Sequence, residues 1–232
     1  MAWLVGVPGG PALAAARRAA QAGYRDFKVK LGRSGDLEME IAGVRDLRRA
    51  LGAGSRLRLD VNGGWSELEA MAACRRLEPF DVEFLEEPCS SWAGAADRSD
   101  DQRGGFRTRI PLALDESLST VDPRDLEPLV RRTGVRVLIL KPMLLGGLTH
   151  CLDLGRRAAS LNIDVVVSHC FDGPIALAAA GALALALPGC RAQGLAPHAG
   201  LDAWRKVPLP IHDATLRSWQ TPGLGLAGAQ LG

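Results

Sequence analysis

The chain has 232 residues, 47% hydrophobic and 23% charged, with 28 basic and 26 acidic residues giving a formal charge of +2. That is one domain's worth of chain with a sizeable core, which excludes a disordered or fibrous protein. The charges form no basic block that would suit nucleic acid or an anionic membrane, and the apolar run 175–187 is too short to cross a bilayer. The five cysteines (Cys74, Cys89, Cys151, Cys170 and Cys190) are odd in number and form no C-x-x-C pair. With no signal peptide at the start, they are expected to be reduced thiols in a cytoplasmic protein.

Strands and helices alternate from the first residue. A strand over 1–7 leads to an alanine- and arginine-rich helix over 11–22, closed by Gly23. A second strand over 27–31 is followed by an amphipathic helix over 36–51, apolar at Leu37, Ile41, Val44, Leu47 and Leu51. The third strand covers 57–61. Ser66, with Glu69 three residues on, predicts a capping box for the next helix, and Leu68, Met71 and Leu77 are expected to face inward. Strand four covers 82–86, and residues 90–109 read either as irregular chain or as a short helix.

Strand five covers 112–114, and Asp122 is expected to cap a helix over 123–132 with Pro123 at its first position. Strand six (135–140), helix six (148–161), strand seven (164–167) and helix seven (174–187) follow, with an eighth strand near 192–195. The domain is expected to occupy residues 1–200, with 201–232 an irregular segment packed on it.

Polar residues recur at the ends of these strands. Successive intervals run from Lys30 to Asp60, Glu86, Asp115, Lys141, His169 and His198, and each spans 26 to 30 residues. A step of roughly 25–30 residues per strand and helix is that of a β/α barrel, whose chemistry sits at the carboxyl ends of its strands. In the third strand Arg58, Asp60 and Asn62 share one face, opposite Leu59 and Val61. Such a strand, breaking at Gly63-Gly64, suits an active site better than a core.

Asp60, Glu86 and Asp115 on successive strand ends form a hard, anionic oxygen set. Such a set calls for magnesium, or manganese, rather than zinc. The competing reading is three separate surface carboxylates paired with arginines. Lys30 precedes this set and Lys141 follows it. A lysine crowded by a second cation gives up its proton more readily and can act as a general base, and Lys28, two residues before Lys30, supplies such a neighbour. Metal and lysine together suit removal of a proton α to a carboxylate. The alternative is that both lysines only neutralise the carboxylates.

The motifs Lys28-Val29-Lys30, Asp60-Val61-Asn62, Glu86-Glu87-Pro88, Asp115-Glu116-Ser117 and Leu140-Lys141-Pro142, in this order, resemble the barrel of the enolase superfamily, muconate-lactonizing subgroup. The Pro222-Gly223-Leu224-Gly225 tail is similar to the end of that barrel domain. The resemblance implies an α/β fold, a TIM-type barrel of the (β/α)7β variant. It assigns magnesium to Asp60, Glu86 and Asp115, and acid/base chemistry to Lys30 and Lys141. Arg58 and Asn62 are then expected to orient metal and substrate, with Lys28, Ser168 and His169 also on the substrate.

Within the subgroup, Leu-Lys-Pro followed by Gly146-Gly147, and the Glu-Glu-Pro-Cys run, resemble the o-succinylbenzoate synthases of menaquinone biosynthesis. That likeness implies a syn-dehydration. Dipeptide epimerase, N-acylamino acid racemase and muconate cycloisomerase share the same parts. The family's N-terminal α+β capping domain is expected to be lacking, so the sequence reads either as a fragment or as a barrel that works uncapped. The expected partners are a small carboxylate substrate and a second copy of the chain or a separately encoded capping domain. A catalytically silent barrel is the non-enzymatic alternative.

Overall fold

The computed structural model describes residues 1–90, 108–189, 191–196, 209–220 and 222–224. Its strands are β1 (Ala2–Gly6), β2 (Asp26–Lys30), β3 (Arg56–Asp60), β4 (Val82–Glu86), β5 (Leu112–Leu114), β6 (Val135–Leu140) and β7 (Asp164–Val167). They pair in sequence order as one parallel sheet. The helices between them are α1 (Gly10–Gln21), α2 (Leu37–Leu51), α3 (Glu67–Leu77), α4 (Leu126–Thr133), α5 (Leu148–Ser160) and α6 (Pro174–Ala186). Residues 91–107, where irregular chain or a short helix was expected, lie outside the described residues, as does His198.

The sheet curls until its edges approach one another. Ala2 N donates to Gln193 O at 2.8 Å on one side, and Gly194 N donates to Val167 O at 2.8 Å on the other. The expected eighth strand is reduced to a single parallel bridge between Ser168 and Gly194. A side chain supplies part of the missing pairing, since Gln193 Oε1 accepts from Val167 N at 2.6 Å. The result is a curled parallel barrel of the truncated (β/α)7β kind.

Period-two alternation divides the apolar residues into two cores. Phe27, Val29, Leu57, Leu59 and Leu85 pack outward against the helices in the larger one. Inside the barrel a smaller cluster holds Phe84, Ala113, Val137, Ile139 and Val166. Helix α2 buries Ile41, Val44 and Leu47 as its apolar spacing requires, and the Asp36 side chain caps it by accepting from Met39 N.

The capping box of Ser66 and Glu69 is formed at α3. The inward face of that helix corrects the expectation. Ala70, Ala73, Cys74 and Leu77 are buried, whereas Leu68 is 79% exposed and Met71 only half-buried. Small residues at i, i+3 and i+4 let the helix sit close to the sheet, and that turns Leu68 outward. Asp122 does cap, but it caps a 3-10 turn, Pro123–Asp125, that precedes α4.

Beneath the interior lies a layer of charge at the amino ends of the strands. Arg58 is 1% exposed; its Nε donates to Glu83 Oε2 at 2.6 Å and its Nη1 to Ala192 O at 2.6 Å. Arg191 reaches the same Glu83 at 2.6 Å and Asp164 at 2.6 Å, so these ion pairs cross the closing seam. The described residues of the tail, in the segment expected to be irregular, include a small hairpin, β8 (Ile211–His212) with β9 (Thr215–Leu216). The amino group of Met1 donates to Ala214 O at 2.8 Å. No helix among the described residues is long and apolar enough to cross a membrane.

Candidate metal and proton-transfer site

The site is built by consecutive strand ends in register. Lys30 of β2 pairs with Asp60 of β3, which pairs with Glu86 of β4. Every second residue points inward, so these three side chains arrive at one level of the barrel. Asp115 follows directly on β5, and Lys141 follows β6. The loops beyond β2 and β3 touch through glycines. A Cβ on Gly32 (φ +72) would lie 2.7 Å from Val61 Cγ1, and one on Gly64 would lie 2.5 Å from Gly32 O. No larger residue fits there without displacing the backbone that follows Lys30 and Asp60.

Asp60, Glu86 and Asp115 each offer an oxygen, and the three oxygens lie within 4.8 Å of one another. All three carboxylates are buried. Lysines answer their charge. Lys28 Nζ lies 2.7 Å from Asp60 Oδ2 and 2.5 Å from Glu86 Oε2. Lys30 Nζ lies 2.5 Å from Asp60 Oδ2, and Lys141 Nζ lies 2.5 Å from Asp115 Oδ2. Asn62, in the left-handed region at φ 51, accepts from Lys30 at 2.9 Å and donates to Glu116 at 2.8 Å.

Burial and mutual repulsion shape the ionisation of this cluster. Burial, with repulsion from Asp60 and Asp115, pushes the Glu86 carboxyl up to about 8 despite the ammonium of Lys28. Burial likewise raises Asp115. Asp60 is driven the other way: burial opposes its charge, but Lys28 and Lys30 together hold it well below the usual carboxylate range. Burial would depress Lys141, yet Asp115 reverses this and leaves it above the ordinary lysine value. Lys28 is raised in the same way, by Glu86 and Asp60 against burial.

The donor set fits a hard dication. Three buried carboxylates converge, the Glu86 carboxyl is raised by burial and by the other two, and an ammonium already lies between Asp60 and Glu86 as a monovalent stand-in. Oxygen-only donors select magnesium or manganese. This three-residue acidic cluster is typical of magnesium-dependent enolase-superfamily enzymes.

Beside the cluster opens a cavity of about 300 Å³. Lys28, Lys30, Asn62, Glu86, Glu116 and Lys141 line its charged side, and Leu4, Ile139, Val166 and Phe171 line its apolar side. Ser168 and His169 line it too, and Arg58 reaches its base. The sequence-derived site residues thus converge on the cavity or the carboxylate cluster, with Arg58 a layer lower, committed to Glu83. Three residues with roles here stood outside the candidate set. Glu116 pairs with Asn62, Phe171 (φ +57) stands 46% exposed at the mouth, and Glu87 buttresses Asp115. Glu87 and Glu116 had a visible signal, their places within Glu86-Glu87-Pro88 and Asp115-Glu116-Ser117, and Phe171 had none.

Residues 12–229 match the enolase C-terminal domain-like family, and the chain belongs to it. Among curated proteins it is similar to the o-succinylbenzoate synthase of Thermobifida fusca (strain YX), 36% identical over 177 residues, covering 75% of this chain and 52% of that protein. It is also similar to the o-succinylbenzoate synthase of Mycobacterium tuberculosis (strain ATCC 25618 / H37Rv), 35% identical over 130 residues, covering 56% and 36%. The chain spans about half or less of the length of these relatives.

Among solved structures, muconate lactonizing enzyme from Pseudomonas putida superposes with a TM-score of 0.79 at 25% identity, covering 97% of this chain and 62% of that one. Dipeptide epimerase from Cytophaga hutchinsonii, complexed with Mg and the dipeptide D-Ala-L-Val, gives 0.69 at 28% identity, covering 82% and 50%.

Proposed function

We propose that this barrel removes a proton α to a substrate carboxylate with magnesium bound, and that its reaction is the syn-dehydration of an o-succinylbenzoate synthase. The observation that carries the reading is the order of side chains across five successive strand ends, β2 to β6. A lysine stands on each side of three converging carboxylates, and both lysines face one cavity.

Asp60, Glu86 and Asp115 would hold the metal, which supplies positive charge to the substrate carboxylate as its α carbon loses a proton. Lys30 Nζ, positioned by Asp60 and Asn62, takes that proton. The electron pair left on the α carbon moves into the carboxylate, giving an enediolate. It then returns to form the carbon–carbon double bond as the β hydroxyl leaves with the proton from Lys30, as water. Lys141, raised by Asp115 and so kept cationic, stabilises the enediolate from the opposite face. Lys28 balances the carboxylates, Arg58 supports the site from beneath, and Asn62 with Ser168 and His169 orients the substrate body.

The likeness to o-succinylbenzoate synthases supports the dehydratase reading, and the likeness to a dipeptide epimerase and a muconate lactonizing enzyme keeps epimerisation and cycloisomerisation as rivals. Cys74, Cys151 and Cys170 are free thiols, which supports a cytoplasmic setting. A second copy of the chain and a separately encoded capping domain are the partners this reading allows besides the substrate. Incubating the chain with magnesium and a cyclohexadiene hydroxy acid, and separately with dipeptides, tests it. Water loss from the first supports the proposal, and epimerised dipeptide as sole product overturns it. No turnover of either, even with a capping domain added in trans, leaves a silent barrel.

A further inference from the structure

Glu87 follows a metal-binding carboxylate directly, yet it has no part in the chemistry above. It is 2% exposed, and its φ of +39 lies in the left-handed region that residues other than glycine seldom adopt. Such a conformation persists only where the surroundings hold it, and it points to a function for the residue so held.

The hydrogen bonds of Glu87 reach three strand ends. Its carbonyl accepts from Gly63 N at 2.7 Å, in the turn after β3, and its own N–H donates to Ala113 O at 3.2 Å, on β5. Its carboxylate accepts from Asp115 N at 2.8 Å, from Ser117 N at 2.9 Å and from the Ser117 hydroxyl at 2.7 Å. One residue therefore joins the ends of β3, β4 and β5, and each of those ends carries one of the three converging carboxylates. A glycine would adopt the same backbone without strain. A glutamate stands there because its carboxylate is used.

We infer that Glu87 is a positioning residue that fixes the spacing of Asp60, Glu86 and Asp115, and so makes the site selective for a small octahedral dication over a larger one. Magnesium demands near-ideal octahedral geometry and manganese is nearer to it in size, whereas calcium accepts looser and more numerous oxygens. Loosening the β5 end should therefore cost the smaller ions more. Removing groups that orient metal ligands generally weakens metal binding by about 10–100-fold.

The inference rests on the metal reading proposed above and is tested by metal affinity alone. Manganese binding is measured by electron paramagnetic resonance on the full chain, with calcium as competitor. Glu87→Ala and Glu87→Asp should each weaken manganese by about tenfold or more and calcium by less, so the preference narrows. Glu87→Gln should bind nearly as the parent does, because its amide oxygen still accepts from Asp115 N and Ser117 N. If Glu87→Ala does not fold, Glu87→Asp decides, since it keeps the charge and withdraws it by one methylene. Parental affinity and selectivity in a folded Glu87→Asp protein overturn the role of Glu87. A parent chain that binds no manganese overturns the metal reading instead.

Discussion

Lys28 and Lys30 share a single oxygen: the two ammonium groups lie 2.7 and 2.5 Å from Oδ2 of Asp60. They are successive inward positions of one strand, so the alternation that brings Lys30 to the cavity also brings Lys28. Lys28 reaches Glu86 as well, and so competes for two of the three converging carboxylates. Lys28→Met should therefore tighten manganese binding several-fold while destabilising the metal-free protein, read by calorimetric titration and thermal melts. Weaker manganese binding in a folded Lys28→Met would show that Lys28 organises the carboxylates rather than competing for them.

Metal should also register as stability. A ligand that binds only the folded chain stabilises it by about 2.7 kcal/mol at a hundred times its dissociation constant. The melting temperature should rise with millimolar magnesium, and the rise should vanish in Asp60→Asn. An unchanged melting temperature in the parent chain would count against a competent site.

Glu86 gives the pH dependence. Burial and the neighbouring carboxylates raise its carboxyl from 4.5 to about 8 in the metal-free fold. Because this folded value lies above the unfolded one, its contribution to stability is fully present below about 4.5 and is lost as pH rises through about 8. Metal binding must displace that proton. Manganese affinity should climb between pH 6 and 8, by at most about tenfold per unit for one proton, and flatten above. A flat profile over that interval would mean Glu86 is already ionised or does not bind.

Arg58 separates support from substrate contact. Breaking a buried ion pair costs about 3–5 kcal/mol, and Glu83 keeps Arg191 as a second partner, so Arg58→Ala should lie near the lower end of that range. Manganese affinity in the surviving folded protein should stay within a few-fold of the parent. A stable Arg58→Ala that loses only substrate affinity would assign Arg58 to the substrate.

Much of this was legible in the sequence, because a parallel barrel repeats one step and each step ends in a polar residue. Lys30, Asp60, Glu86, Asp115 and Lys141 announce themselves that way. Depth is what alternation cannot supply. Arg58 and Asp60 share a face, but Arg58 lies one layer lower, and at the register shift between Leu57 and Arg58 its guanidinium meets Glu83. The eighth strand dissolves into a bridge because a Gln193 side chain does part of a backbone's work. The keystone arrangement of Glu87 was hidden for another reason: nothing in a glutamate signals a left-handed backbone.

The central claim is that Lys30 carries the α proton. The direct measurement is magnesium-dependent exchange of that proton for deuterium in heavy water, followed by NMR on the carboxylate substrate with whatever capping partner activity requires. Lys30→Ala should lose at least the 10²–10⁴-fold expected for a missing general base, with manganese still bound. Lys30→Arg should not rescue it, because a guanidinium does not release its proton near neutral pH. Exchange in Lys30→Arg at near the parental rate would make Lys30 a fixed charge and contradict the account.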